Sequence, residues 1–229
     1  MREISKNDSG GVWRTVGGRR VFIRDGQDLT SAMKESGKFP NAKNDLNSDA
    51  TSGKMKPTNT AAVEEELYIL KQFGEQTGNE HATIMSDDGK VLGNVEGQRS
   101  QVAITAKMQQ QIDNAPENSI IFAHNHPNNS GFSDTDLAAL AHPAIKEMRV
   151  VGHDGNTYTM IVGNGKRPSS ADIMREGQRF DGVVEKKLGQ MIRDGKLTPQ
   201  QAGHLHNIEK GYLFAEAFGW TYERGKIDE

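Results

Sequence analysis

The 229-residue chain carries 28 Lys and Arg against 31 Asp and Glu, a formal net charge of −3, with 34% hydrophobic residues, 26% charged residues and no cysteine. That is the composition of an ordinary soluble chain, and it excludes disulfides, thiolate zinc sites, iron–sulfur clusters and a cysteine nucleophile, so any metal must be held by His, Asp or Glu. No run approaches the ~20 apolar residues of a membrane span, the start does not resemble a secretory leader, and the near-neutral charge provides no broadly basic face, so the expectation is a cytoplasmic protein that engages neither membrane nor nucleic acid.

In chain order, residues 11 to 30 alternate apolar and polar about Gly17-Gly18, which predicts a β-hairpin arm over 1–30, too small to be stable alone and therefore suited to packing on another chain or on the core. Residues 31–59 turn to Ser, Asn, Gly, Lys and Asp and read as a flexible linker. Val63, Leu67, Leu70 and Phe73 recur at helical spacing over Ala61 to Gln76, with Thr60 as cap and Gly78 as stop. Strands are predicted at Glu80 to Met85 and Lys90 to Val95 about a Ser86-Asp87-Asp88-Gly89 turn, with a third over Val102 to Ile104, followed by a helix from Thr105 to Asn114. The apolar run Ile120-Ile121-Phe122-Ala123 suits a central strand covered on both faces. Ser133 opens a helix to Ala141, and Met148 to Gly152 with Asn156 to Val162 form a hairpin. Ser169 to Leu197 and Thr198 to Trp220 read as two amphipathic helices, a helical extension over 166–229 serving packing or oligomerisation. The fold class is thus α/β, a mixed sheet flanked by helices over 60–165, bearing an N-terminal β-hairpin arm and a C-terminal helical hairpin.

The chemistry gathers after the central strand, in His124-Asn125-His126-Pro127. Residues two apart on a strand leave the same face, so both imidazoles can reach one cation. Asp136 follows in the first turn of the next helix, where a folded-back loop can return its carboxylate. Two histidines and an aspartate leave the fourth tetrahedral position for water, the arrangement of a catalytic zinc. Zinc lowers the pKa of that water to about 7, and a carboxylate must still carry its proton. Glu80, opening the first strand of the core, is the best candidate and Glu96 the runner-up. Ser133 can donate to the oxyanion that develops on an attacked carbonyl, although Ser133-Asp134-Thr135-Asp136 is equally a helix-capping sequence.

Glu80, then His124-Asn125-His126-Pro127, then Ser133-Asp134-Thr135-Asp136 resemble the signature of the JAMM/MPN zinc metalloproteases, with wording most similar to the bacterial and phage RadC-like branch. The resemblance covers about residues 60–165. It implies a JAMM/MPN-like curved mixed sheet, one Zn2+ per chain on His124, His126 and Asp136, Glu80 as general acid/base, Ser133 steadying the tetrahedral intermediate, and hydrolysis of an amide or isopeptide bond in a ubiquitin-like tail, a phage structural protein or a peptidoglycan peptide. The loop from His126 to Ser133 is one residue shorter than is usual in that family, which demands a tighter turn at Asn129-Ser130-Gly131. Residues 15–23 also resemble small hairpins of phage head and portal-associated proteins. This motivates a second expectation, a virion-associated assembly module that recruits another copy or a particle partner through the hairpin and the C-terminal helices. A third, a DNA-associated RadC-like protein, finds no basic face to support it.

The remaining histidines point elsewhere. His204-Leu205-His206 repeats the spacing on a helix, where positions two apart face different ways. His153 falls in a hairpin turn, His142 at a helix end before Pro143, and His81 beside Glu80, where it can touch the site.

Overall fold

In the computed structural model, which describes residues 11–16, 19–24, 58 and 61–227, the chain divides into two units, 1–42 and 43–229. The first contains the expected hairpin, β1 (Gly11–Val16) paired antiparallel with β2 (Arg19–Arg24). The linker, apart from Thr58, and the proposed cap Thr60 lie outside the described residues.

The second unit opens with α1 (Ala61–Thr77), stopped as expected where Gly78 takes φ +70° and its N–H returns to the Gly74 carbonyl at 2.8 Å. It continues through β3 (His81–Ser86), β4 (Val91–Glu96), α2 (Ala106–Asp113, capped by Thr105), β5 (Ile120–His126), α3 (Asp134–Ala138, continued by a 3-10 turn to Ala141), β6 (Ile145–Gly152), β7 (Asn156–Ile161), α4 (Ser170–Arg193), α5 (Pro199–Phe218) and β8 (Thr221–Lys226). Among the described residues these make five α-helices and a six-stranded mixed sheet in the order β4-β3-β5-β6-β7-β8, antiparallel throughout except for the parallel pair β5–β6.

The periodicities explain the layering. The apolar stripe of α1, Val63, Leu67 and Leu70, packs on one sheet face against Met85, Ile121, Ala123 and Val151. On the other face Ile84, Phe122, Met148, Tyr158 and Met160 meet α2 through Met108 and Ile112 and the C-terminal helices through Ile173, Phe180 and Phe214. β5 is covered on both faces, and every one of its residues is buried. None of the described helices is long and apolar enough to cross a membrane.

Two expectations need correction. Val102 to Ile104 is not a strand: Gln98 and Gln101 bridge each other across a turn, and Val102 and Ile104 then pack irregularly against the core on the way to the Thr105 cap. Residues 166–229 are not helices alone. After Gly219 ends α5 with φ +74°, the chain runs straight into β8, which pairs along all of β7, and Trp220 is wholly buried in the same core as β3 and β5.

Candidate metal centre

Alternation along β5 decides which side chains meet. Phe122, His124 and His126 face the larger helical layer, whereas Ile121, Ala123 and Asn125 face α1. The chain then turns back through Asn129, which takes φ +60°, a conformation that asparagine tolerates better than most residues, so the shorter loop closes at the expected tripeptide. Gly131 lies against the backbone of Asn207 and Ile208 in α5, and the Lys210 ammonium reaches Asp134 at 2.7 Å and Asp181 at 2.5 Å, so the C-terminal helices brace the loop that delivers Asp136.

The result is a buried group of His124, His126 and Asp136 that can hold a metal ion. His124 Nε2 lies 3.3 Å from Asp136 Oδ1, His126 Nε2 lies 3.4 Å from Oδ2, and the two Nε2 atoms are 2.9 Å apart. Bonds of about 2.0–2.2 Å from nitrogen and oxygen to a tetrahedral ion set ligand–ligand edges of about 3.3–3.6 Å. The two histidine–aspartate separations match such edges and are longer than good N–H···O hydrogen bonds, whereas the two Nε2 atoms at 2.9 Å stand closer than an edge and must part slightly around an ion. His126 Nδ1–H donates to the Ser130 carbonyl at 3.0 Å, which leaves the Nε2 lone pair directed into the group. Asp136 Oδ2 accepts the Ser133 N–H at 2.7 Å, which orients the carboxylate. His124 Nδ1 is buried without a hydrogen-bond partner.

Charge is shared unevenly across the group. Burial pushes His124 down. It opposes protonation of His126 too, but there the Asp136 carboxylate and the Ser130 carbonyl prevail and the pKa rises. Asp136 is likewise penalised by burial, yet the two imidazoles hold it well below the usual carboxylate range. The raised pKa of His126 means that protons compete with a metal ion for its Nε2.

Glu80 lies just ahead of β3, its backbone paired on the β4 side through its N–H to Gln98 and its carbonyl to Gly97, both at 2.8 Å. Burial pushes its carboxyl from 4.5 up to about 6, moderated by attraction to His126 and reinforced by repulsion from Asp136, so this acid shares the electrostatic environment of the group. Glu96 sits opposite His81 in the β3–β4 register, hence on the other sheet face, and accepts from Asn79 at 3.0 Å. Ser133 forms the capping box: its Oγ accepts the Asp136 N–H at 3.2 Å, and its own O–H hydrogen remains available to donate.

His81 turns away from the group, bonding Thr77 at 2.8 Å and stacking on Phe73. His142 caps its turn, accepting the Ala144 N–H at 3.2 Å, and His206 of α5 lies 3.6 Å from Asp181 of α4. Sequence reasoning passed over Asn125 and Lys210. Strand alternation signals the first, since a polar residue between two histidines on a buried strand must face the opposite layer. No local pattern marks the second. Compared with protein-family models, curated proteins and solved structures, the chain matches none.

A raised carboxyl pKa has a measurable cost. Between about pH 4.5 and about 6 the folded metal-free protein holds the Glu80 proton while the unfolded chain releases it, so stability falls as pH rises through this window. The isosteric Glu80→Gln variant escapes that loss. In urea unfolding it should exceed the wild type by about 1 kcal/mol near pH 7, solvent screening reducing the full value of the shift, the gain disappearing below about pH 4.5. Equal stability near pH 7 would mean that the carboxylate is solvated.

Proposed function

We propose that the chain is a zinc-dependent hydrolase of amide or isopeptide bonds, a JAMM/MPN-type metallopeptidase. The observation that supports this most is the meeting of two imidazoles and one carboxylate, the histidine–aspartate separations at ligand-edge distances, in the electrostatic reach of the Glu80 carboxyl, whose pKa is shifted to about 6. Three protein ligands of nitrogen and oxygen suit zinc and leave a coordination position for chemistry. A mixed sheet with the histidine pair on a central strand agrees with the fold that the motif implies.

Zinc held by His124, His126 and Asp136 supplies a Lewis acid, acidifying water and polarising a carbonyl. The chain's own residues do the rest. Glu80 takes one proton from water as the water oxygen bonds to the carbonyl carbon, then returns it to the nitrogen as the C–N bond breaks, so the products are a carboxyl group and an amine. The Ser133 O–H donates to the carbonyl oxygen as charge develops there. Suitable substrates are extended tails: a ubiquitin-like C-terminus, a phage structural protein or a peptidoglycan peptide.

Zinc-loaded protein should cleave within a panel of linear peptides, isopeptides and peptidoglycan stem peptides, and Glu80→Ala should keep about one zinc per chain while losing about 10²- to 10⁴-fold in kcat. Zinc binding without cleavage anywhere in the panel would reject the hydrolase and favour the assembly module, whose partner would engage the N-terminal hairpin. An active Glu80→Ala variant would remove Glu80 as the base.

A further inference from the structure

Asn125 sits between the two histidines, faces the opposite side of the sheet and has no exposed surface. Its carboxamide is fully engaged. Oδ1 accepts the His81 N–H at 2.6 Å, and Nδ2 donates to the Asn79 carbonyl at 3.1 Å and to His153 Nε2 at 3.1 Å. The two backbone contacts bracket Glu80. The β3–β5 ladder ends at the pair Ala82↔His124, so over the next two residues, His81 and Glu80, no main-chain rung from β5 holds the strand. The carboxamide replaces it, offering an acceptor and a donor to the backbone groups that pointed at β5, while the N–H and carbonyl of Glu80 itself are satisfied from the β4 side.

The surroundings are shaped for this amide. A Cβ on Gly74 of α1 would come within 2.1 Å of Asn125 Nδ2 and 2.4 Å of His153 Nε2, so glycine at that position leaves the space in which the side chain lies. His153 closes the cluster from the β6–β7 turn, its Nε2 serving as acceptor and its pKa lowered, by burial first.

We infer that Asn125 is a positioning residue: by gripping the backbone on both sides of Glu80 from between His124 and His126, it fixes the distance between the base and the metal ligands. The inference rests on the hydrolase reading for the role of Glu80, whereas the grip itself is independent of it. A single side chain thereby sets ligands and base in one register, the ligands through its own strand and the base through its amide.

The test is a double-mutant cycle of Asn125→Ala and Glu80→Ala, read in zinc affinity by chelator competition and in kcat and KM on the best substrate of the panel. Groups that act beside metal ligands typically cost about 10- to 100-fold in affinity or activity when removed. Asn125→Ala should lose in that range and Glu80→Ala by the larger factor of about 10²- to 10⁴-fold, kcat falling and KM holding in both, and the double variant should lose no more than Glu80→Ala alone. In the same proteins without metal, the His81 amide should exchange rapidly in Asn125→Ala and slowly in the wild type, with Ala82 onward protected in both. Gly74→Ala, which leaves Asn125 in the sequence but removes its space, should reproduce the loss and provides the measurement if Asn125→Ala does not fold. Additive losses, or a His81 amide equally protected with and without the carboxamide, would overturn the inference. A wild type that binds zinc but cleaves nothing would defeat the hydrolase alone, because the amide exchange still decides whether Asn125 grips the backbone beside Glu80.

Discussion

His124→Ala is expected to purify without zinc under conditions where the wild type retains about one ion per chain, because three protein donors are the minimum of a catalytic site and this substitution leaves two. Of the three proposed ligands His124 is the least able to be replaced. It is 1% exposed, its Nε2 is the atom closest to both partners at 2.9 and 3.3 Å, and no other histidine or acid of the described residues joins the group. Water can fill a vacated coordination position, but it brings neither the anchored geometry nor the basicity of an oriented imidazole. The variant should remain folded, since β5 keeps its ladders to β3 and β6, and metal analysis alongside circular dichroism separates loss of the ion from loss of structure. Zinc content equal to that of the wild type would reject the assignment of the centre outright.

The second large effect falls far from the centre in sequence. Trp220→Ala should destabilise the protein by about 3–5 kcal/mol, the usual cost of truncating a large buried aromatic. Trp220 has no exposed surface, rests on Phe218 with ring centroids 4.9 Å apart and donates its indole N–H to the Lys166 carbonyl at 2.7 Å. Gly165 approaches the ring so closely that a Cβ there would stand 2.7 Å from it. Truncation therefore opens a void and leaves a carbonyl without its donor in one step. Urea unfolding reads the loss, and a change under about 1 kcal/mol would mean that the indole is not a core element.

The parts of the fold that could be read from the sequence are those in which local pattern and burial agree. The stripe Val63, Leu67, Leu70 gave α1, the run Ile120 to Ala123 gave the central strand, and Thr105, Ser133, Ser169 and Thr198 each cap a helix. β8 escaped notice because Thr221-Tyr222-Glu223-Arg224-Gly225-Lys226 is a polar edge strand. Its pairing comes from β7 and its anchorage from Trp220 just before it, neither of which shows as apolar alternation. The opposite error, a strand over Val102 to Ile104, arose because two branched residues at alternate positions pack into the core without any neighbouring strand to pair with. At the centre, HxH and the acid ten positions on were legible because strand and helix-cap geometry carry them. The role of Asn125 was not, since its partners, Asn79, His81 and His153, meet it only once α1 and the β6–β7 turn are packed.

The pairing of β7 with β8 across both long helices also bears on how the chain is made. During synthesis the ribosome releases β3 to β7, with His124, His126 and Asp136, well before residues 221–226 emerge, so the nascent sheet waits with an open flank. Contacts so distant along the chain carry a loop-closure penalty that slows their formation. The last rung to close should therefore be the one that seals β7, and a chaperone that shields this flank would act on the emerging polypeptide at its most aggregation-prone stage.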